Sequence, residues 1–498
     1  MTRAESVPGG LAKLLQCDRE SRLAVVARLR GRDVAATLCR REDTSVPAPA
    51  SYVQEQFLFF DRVDPGAPTY NISFAFHLRG ELDVGALETA LTEVVRRHEV
   101  LRTVIDIDVA GAVQLVHDSV PVRLPVVDLS VLPVEEKERR FAQASYAAAR
   151  RGFAISRGPL YRAELYRLSD DLHTLLWVTH HAVADGQSQA VLIGELARLY
   201  RAARAGEPVV LPEPAVQYGD YAAWHRGHLS GPRLEELLTF WRGTLDGVPD
   251  LELVPHRKRP RMATFTGASA QFVVPGKVSA EIRALARQRS VTPFVVLLTA
   301  YRLALYAATG QPDLAIGTSV AGRLRPEVEA AIGPFLNVIA VRIDVSGAET
   351  ADDVFTRTST AMSAAFAQQE LPFGLLVSKL GGRRDSSRNA IFQTLFELGG
   401  AGVAHSSTPL GADLRLIPEG ILNDVAPVDL LMAMEDDGTV FTGRLDYNTD
   451  LADATEAARL IDHYQAALAT LTAHPGTPVA ALIPDRQATC GRPADRGE

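Results

Sequence analysis

The stretch "TLLWVTHHAVADGQSQ", from Thr174 to Gln189, carries the strongest structural signal in this chain. An apolar run leads into two adjacent histidines, and Gly186 follows them, where a residue without a side chain permits a tight turn. Beyond the turn, apolar residues recur at helical spacing, at Leu192, Leu196 and Leu199. The stretch therefore predicts a strand, a sharp turn and a helix, with two imidazoles at the turn.

The two histidines are the first candidates for chemistry. Neighbouring residues of a strand point to opposite faces, so His180 and His181 cannot both face one cavity while the strand continues. We expect His181 to project into a cavity and His180 to pack behind it. With an ordinary pKa of about 6.5, an imidazole can accept a proton from an attacking amine or hydroxyl. Asp185 can accept a proton from a ring nitrogen or pair with an arginine, and the motif alone is also compatible with a purely structural role.

Length and charge limit the classes of function. The chain has 498 residues, of which 47% are hydrophobic, and this exceeds what one core usually holds, so two domains or two large lobes are expected. The net charge of -8 arises from 52 basic and 60 acidic residues that are dispersed along the chain. No basic patch indicates nucleic acid as a partner.

Cysteine usage and hydropathy indicate the compartment. Cys17, Cys39 and Cys490 show no metal-ligand spacing, which favours a reducing, cytoplasmic environment and a chain without bound metal. The N-terminal residues lack the apolar core of a signal peptide. The long apolar run from Pro293 is interrupted by Arg302, so it predicts a buried helix and no membrane span.

Composition shifts suggest four segments. Residues 1–46 read as a helical extension or linker that ends in a Pro/Ser-rich break. Residues 47–225 form an N-terminal lobe with the histidine motif, residues 226–485 a C-terminal lobe, and residues 486–498 a polar tail. Both lobes mix strands and helices in a similar way, which predicts an α/β (α+β) fold of two lobes of comparable size.

Individual elements follow from periodicity. A half-buried strand is predicted around Ile72 to Leu78, followed by a helix that Asp83 caps. In the second half, helices are predicted near residues 279–290, 293–308, 326–331 and 454–473. Strands are predicted in residues 313–322, 335–344, 391–398, 427–435 and 439–448. The continuous apolar run in residues 335–344 predicts a central strand.

The motif "HHAVADG" matches the HHxxxDG signature of condensation domains from nonribosomal peptide synthetases, and other family motifs occur in family order. The segments that resemble them are "SYVQEQFLFF" from Ser51, "RHEVLRT" from Arg97, "YGDYAAWH" from Tyr218, "IGPFLNVIAVR" from Ile332, "QQELPFG" from Gln368 and "RDSSRNAIF" from Arg384. The resemblance covers residues 47–474.

The resemblance implies a fold and an activity. Family members consist of two lobes of chloramphenicol acetyltransferase type in a V-shaped arrangement, with a tunnel between them. Two carrier proteins deliver an acyl or aminoacyl donor and an acceptor from opposite ends as phosphopantetheine thioesters. The implied reaction joins the donor to an amine or hydroxyl nucleophile, giving an amide or an ester. It needs no bound cofactor beyond the phosphopantetheine arm of the carrier protein.

The resemblance also assigns roles to the motif residues. His181 corresponds to the second motif histidine, the base or positioning group for the nucleophile, and His180 supports the loop. Gly186 leaves room for the substrate arm. Asp185 is implied to be structural and to form a salt bridge with Arg102.

The remaining assignments concern support and the substrate tunnel. Arg97 belongs to the same "RHEVLRT" segment as Arg102 and is assigned to structural support. Residues assigned to the tunnel are Gln187, Ser188, Ser319, Asn337 and Tyr218. For Ser319 and Asn337, satisfying backbone groups is an equal alternative, and Tyr218 and Trp224 are more typical of packing residues. At Gln187 the family very often has tryptophan, so the shape of the acceptor side is expected to differ.

Alternatives remain at this point. An epimerisation domain shares HHxxxDG, and a noncatalytic recruiting domain would have the same fold without the chemistry. The polar tail and Met1 favour a free-standing, monomeric enzyme over an excised domain. Such an enzyme could use a soluble small-molecule nucleophile in place of a second carrier.

Overall fold

The computed structural model describes residues 37–482, apart from residues 45, 110, 209–210, 254–256, 382–384, 401–406 and 422–423. Most of the predicted N-terminal extension and the whole polar tail lie outside the described residues. Two six-stranded sheets, each packed against helices, organise the rest, and a three-stranded sheet accompanies the first of them. This mixed α/β architecture agrees with the predicted fold class.

The first sheet has the strand order β12-β13-β2-β7-β6-β5. Its members are β2 (Asn71–Arg79), β5 (Val126–Asp128), β6 (Tyr161–Arg167), β7 (Leu172–His180), β12 (Thr408–Pro409) and β13 (Arg415–Gly420). The central pair β2 and β7 is antiparallel and sets Asn71 opposite His180. The histidine motif therefore begins where the central strand of the first sheet ends.

The second sheet has the order β10-β9-β11-β14-β15-β8. Its members are β8 (Gly267–Val273), β9 (Ala315–Val320), β10 (Asn337–Arg342), β11 (Thr394–Gly400), β14 (Leu430–Asp436) and β15 (Phe441–Asn448). The small sheet joins β1 (Ala48–Pro49), β4 (Gly111–Val116) and β3 (Thr103–Asp108). The strand predictions for residues 313–322, 391–398, 427–435 and 439–448 are confirmed.

Helices flank both sheets. Those of the first half are α1 (Tyr52–Val63), α2 (Val84–Arg97), α3 (Val134–Arg150), α4 (Gly186–Ala205) and α5 (Tyr218–His228). Those of the second half are α6 (Gly231–Leu245), α7 (Gly276–Gln288), α8 (Pro293–Thr309), α9 (Ala351–Ala367), α10 (Phe373–Leu380) and α11 (Ala454–Ala473). The predicted cap of α2 is confirmed, because the Asp83 carboxylate accepts a hydrogen bond from the Ala86 amide at 2.9 Å.

Two element predictions are wrong. Residues 326–331 form only a 3-10 turn, Pro326–Val328, since the chain must place Phe335 and Leu336 against the first lobe soon afterwards. Strand β10 is an edge strand of its sheet among the described residues, because its recorded pairing is with β9 alone. Its apolar run is explained by helices α9 and α10, which pack against it.

One part of the C-terminal range belongs to the first lobe. Strand β13 lies antiparallel to β2, with Leu416 opposite Leu78. Leu410, Leu414 and Leu416 are buried in the core of the first lobe. The simple boundary at residue 226 therefore needs correction, because the sheet that carries the histidine motif is completed by a hairpin from much later in the chain.

Within the described residues, no single helix is long and apolar enough to cross a membrane. Helices α7 and α8 pass that test only as a pair, and they are bent by 113° relative to each other.

Candidate active site

The histidine motif forms the predicted strand, turn and helix. Strand β7 ends at His180 and α4 begins at Gly186, with Asp185 as the N-cap residue. The ladder extends one residue further, because the His181 amide donates to the Tyr70 carbonyl at 2.8 Å. The turn between strand and helix is thus fixed at both ends, and it holds the two imidazoles in place.

His180 is a buried support for this turn. Its Nδ1 accepts a hydrogen bond from the Ala182 amide at 3.0 Å, and its ring lies against Phe57 and Phe153. Burial lowers the pKa of His180 to about 3, and the neighbouring His181 and Arg162 act in the same direction. The ring is therefore neutral at physiological pH, and these contacts hold it behind the turn.

His181 is half-buried and stacks on Phe57, with ring centroids 5.7 Å apart and an interplanar angle of 21°. Burial lowers its pKa, although Asp185 and hydrogen bonding with the Ala184 backbone act in the opposite direction. The neutral imidazole is the form that can accept a proton. Its chemistry suits a general base that works at neutral pH.

Asp185 joins the two halves of the molecule. Its Oδ1 accepts hydrogen bonds from the Ser188 amide at 2.8 Å and the Ser188 hydroxyl at 2.7 Å, which caps α4. Its Oδ2 accepts hydrogen bonds from the Phe335 amide at 3.0 Å and the Leu336 amide at 3.2 Å. A buried carboxylate with this many donors has a strongly preferred position, so the histidine loop is tied to the segment that precedes β10.

The cation that balances Asp185 is Arg323, whose Nη2 lies 3.2 Å from Oδ1. The Arg323 side chain is 5% exposed, and its Nη1 also donates to the Val328 and Ala331 carbonyls. The predicted pairing with Arg102 is wrong. Arg102 donates to the His117 carbonyl at 2.5 Å, because strand β4 and not the motif loop passes beside it.

Arg97 does support the site, through the helix that Asp185 caps. Its Nε and Nη2 each lie 3.0 Å from the carboxylate of Glu195 on α4, and His98 lies 3.1 Å from the same carboxylate. Burial raises the pKa of Glu195, but the hydrogen bonds from His98 and Arg97 outweigh it and lower the pKa to about 2. A charged, bidentate clamp thus fixes α4 against the end of α2.

Among the residues assigned to the tunnel, Gln187 is exposed, and so is Gly186 beside it. A Cβ atom added at Gly186 would meet no atom within 4 Å, so open space lies against the loop there. Ser188 does not line this space. It is 1% exposed, and its hydroxyl is occupied by Asp185 and by the Gly333 backbone.

Tyr218 and Asn337 are interior residues, and their assignment to the tunnel is corrected. The Tyr218 hydroxyl lies 2.7 Å from the Ser51 hydroxyl and 3.1 Å from the Pro334 carbonyl. Asn337 donates to the Gln369 and Leu371 carbonyls, each at 2.8 Å. Both side chains line a cavity of about 30 Å³, room for a water molecule. Packing was the expectation for Trp224 as well, and its ring stacks on His228 with centroids 4.9 Å apart.

Ser319 is half-buried on β9, and its hydroxyl donates to Glu397 at 2.5 Å.

Three contributors to the site went unpredicted: Phe57 under His181, Arg323, and the amides of residues 335–336. Phe57 and residues 335–336 lie inside motifs that the resemblance had identified, "SYVQEQFLFF" and "IGPFLNVIAVR", so a signal was present for them. Arg323 lies between motifs, and no sequence pattern marks it.

The family profile of the condensation domain matches residues 46–489. The chain therefore belongs to the condensation domain family, and its mixed α/β structure is the chloramphenicol acetyltransferase-like fold of that family.

Curated relatives place it among the condensation domains of nonribosomal peptide synthetases. It is 36% identical over 440 residues to one of the linear gramicidin synthase proteins of Brevibacillus parabrevis, a match that covers 87% of this chain and 6% of that protein. It is 34% identical over 469 residues to phosphinothricin tripeptide synthetase PhsC of Streptomyces viridochromogenes, 93% of this chain and 42% of that protein. The chain thus spans less than half the length of these two relatives, both of which are antibiotic or peptide synthetases.

Solved structures agree with this assignment. The X-domain from teicoplanin biosynthesis has a TM-score of 0.80 at 27% identity, covering 89% of this chain and 99% of that one. The SgcC5 protein of Streptomyces globisporus has a TM-score of 0.72 at 28% identity, covering 86% of this chain and 100% of that one. These relatives favour condensation over the epimerisation alternative.

Proposed function

We propose that this chain is an acyltransferase that joins a carrier-bound acyl or aminoacyl thioester to an amine or hydroxyl nucleophile. The observation that carries the proposal is the position of His181. It is a neutral, half-buried imidazole on a turn that the Asp185–Arg323 pair fastens to the second lobe, and open space lies against the same loop at Gly186. A fixed base beside room for a substrate arm meets the requirement of a reaction in which alignment contributes most of the catalysis.

In the proposed reaction, the nitrogen or oxygen of the nucleophile attacks the thioester carbon while His181 accepts its proton. The carbon–sulfur bond breaks, a carbon–nitrogen or carbon–oxygen bond forms, and the pantetheine sulfur leaves as a thiolate. The proton then passes from His181 to this thiolate. The products are an amide or ester and a free thiol, so atoms and charge balance without a redox partner.

The partners follow from this chemistry. The phosphopantetheine arm of a carrier protein delivers the donor, and a second carrier or a soluble small molecule supplies the nucleophile. We place the two entrances at opposite ends of a tunnel between V-shaped lobes, which keeps water away from the thioester. The proposed enzyme holds no cofactor of its own, acts as a monomer and works in the cytoplasm.

The test is intact-mass analysis of a loaded carrier protein incubated with the chain and a panel of amines and alcohols. We expect the carrier to lose its acyl group with at least one nucleophile. His181→Ala should slow that transfer by about 100-fold or more, as removal of a general base does. His173→Gln, a histidine at the far end of β7, serves as the control and should leave the rate within about twofold.

The pH profile gives a second readout. Because the pKa of His181 is lowered by burial, the rate should not decline as the pH falls through about 6.5, the ordinary imidazole value, and should decline only at lower pH. Acyl retention with every nucleophile would contradict the proposal.

A recruiting role is the second candidate, since a solved complex pairs the similar X-domain with OxyB. That complex has a TM-score of 0.80 at 27% identity to this chain. An active parent beside an inactive His181→Ala variant excludes a purely recruiting role. If the His181→Ala variant turns over at the normal rate, His181 is not a general base.

A further inference from the structure

The second sheet carries a row of half-buried polar residues on one face. Side chains of Phe396, Met432 and Leu445 point to the opposite face and are buried in the core with the helices. On the other face, Glu397 of β11 lies opposite Ala433 of β14, and Ala433 lies opposite Arg444 of β15. The row, called the polar row below, consists of the half-buried Ser319, Glu397 and Arg444, with Ala433 between the last two and the exposed Gln271 at its end.

Glu397 is held in place by a hydroxyl group, and among the described residues no ion pair includes it. The Ser319 hydroxyl donates to Oε1 at 2.5 Å, and among the described residues Oε2 has no hydrogen-bonding partner. Arg444 is nearby, but its Nε is committed to Asp446, at 2.9 Å from Oδ1 and 3.1 Å from Oδ2. Burial raises the pKa of Glu397. A carboxyl group in this position gains most from a ligand that brings a positive charge.

The charge of this face has the matching sign. Asp446 and Glu435 point to the same side of the sheet as Glu397. Asp446 lies two residues after Arg444 on β15, Glu435 lies two residues after Ala433 on β14, and alternate residues of a strand share a face. Within this described group, Glu397 and Asp446 therefore share the guanidinium of Arg444, and Glu435 lies on the same face. Such a surface attracts cations and disfavours anionic ligands.

The polar row begins next to the histidine loop. Ser319 pairs with Val338 on β10, and Leu336, two residues earlier, donates its amide to Asp185. Two residues of strand span about 7 Å and one strand spacing is about 4.8 Å, so Ser319 lies within reach of an extended substrate that passes His181. A substrate group beyond the reacting centre can therefore contact Glu397.

We propose that Glu397, positioned by Ser319, binds a protonated amino group of a substrate and makes this chain selective for a positively charged donor or acceptor. This inference deepens the proposed function and rests on it for the identity of the substrates. The amino group is either the α-amino group of an aminoacyl donor or a side-chain amine of either substrate, because an attacking α-amino group must be neutral and lie at His181. Its binding places a positive charge beside Glu397 in a charge-assisted hydrogen bond.

The test measures binding, so it does not depend on turnover. The probes are three pantetheine amides, those of lysine, norleucine and hexanoic acid, whose affinities for the full chain are measured by calorimetry near neutral pH. A side-chain amine as the ligand predicts about tenfold tighter binding of the lysyl than the norleucyl probe. An α-amino group predicts a similar gap between the norleucyl and hexanoyl probes.

Glu397→Gln should abolish whichever preference is seen, and Ser319→Ala should reduce it. Glu435→Gln is the matched control, because it removes a carboxylate from the same face of the sheet, two residues beyond Ala433. This variant should keep most of the preference. Equal affinity of the three probes overturns the inference, as does an unchanged preference in Glu397→Gln or an equal loss in the control. A failure of acyl transfer with intact probe selectivity would instead count against the proposed function alone.

Discussion

At the scale of single residues, Asp185 shows how one carboxylate can serve two structural purposes. It caps α4 and, at the same time, receives Arg323 and two backbone amides from the second lobe. The capping role is local and would occur in an isolated helix. The interlobe role ties the loop that carries His181 to the second lobe, and it depends on residues about 140 positions away.

Asp185→Asn tests the interlobe role. The change leaves the Arg323 guanidinium buried without its counter-charge, so we expect a loss of about 3 kcal/mol or more in the free energy of unfolding. Acyl transfer should fall with it, because His181 loses its fixed position. Urea unfolding and transfer from a loaded carrier measure the two effects.

The control is Asp313→Asn, which breaks the Arg342–Asp313 pair, whose side chains are 26% and 19% exposed. For this variant we expect a loss of about 1 kcal/mol in the free energy of unfolding. Equal losses in the two variants would show that Asp185 is an ordinary ion-pair partner.

At the scale of elements, the start of α4 and the segment 333–336 form one joint. Gly333 donates its amide to the Ser188 hydroxyl and accepts that hydroxyl through its carbonyl, at 3.1 Å and 3.0 Å. Tyr218 of α5 packs directly against this glycine. The joint is therefore closed by α5, which explains why Tyr218 is a packing residue.

Gly333→Ala tests how tightly the joint is packed. A Cβ atom at Gly333 would lie 2.3 Å from Cδ2 and 2.8 Å from Cγ of Tyr218, so the ring must move. We expect a loss of about 1–3 kcal/mol in unfolding free energy, as overpacking of a core produces. The measurement is denaturant unfolding followed by tryptophan fluorescence.

Gly194→Ala is the matched control, since Gly194 lies inside α4 and an added Cβ atom would meet nothing within 4 Å. In a helix interior the same substitution should raise the free energy of unfolding by about 0.5–1 kcal/mol. Opposite signs for the two variants are the expected result, and stabilisation by both would mean that the joint has room to spare.

At the scale of the whole molecule, two cores and one crossing hairpin make a single structure. Strand β13 is contributed to the first sheet from between β11 and β14 of the second sheet. The buried His225 on α5 lies at the contact between the halves, where it lines the small cavity beside residues 334–337. Burial lowers the pKa of His225 to about 4, although Glu370 acts in the opposite direction.

This neutral histidine predicts acid sensitivity. Because its folded pKa is lowered, the unfolded chain binds the extra proton first as the pH falls below about 6.5. Stability is therefore fully present above that pH and declines toward pH 4, by up to about 1.4 kcal/mol per pH unit for each such histidine. His225→Gln should flatten the decline, measured as the urea midpoint across that range. The control is His117→Gln at an exposed histidine, which should leave the pH dependence of the urea midpoint as in the parent. If neither variant changes that dependence, the acid sensitivity belongs to other groups.

The sequence by itself determined the family, most of the elements and the histidine turn, because each depends on residues that are neighbours along the chain. Periodicity, capping by Asp83 and Asp185, and the spacing of HHxxxDG act over one turn or one strand, where local physics leaves few alternatives. Only the tertiary structure decided which cation faces Asp185, that Ser188, Tyr218 and Asn337 are interior, and that β13 completes the first sheet. These outcomes are set by the packing of segments more than 100 residues apart, and a buried carboxylate takes whichever guanidinium the packing brings within hydrogen-bonding distance.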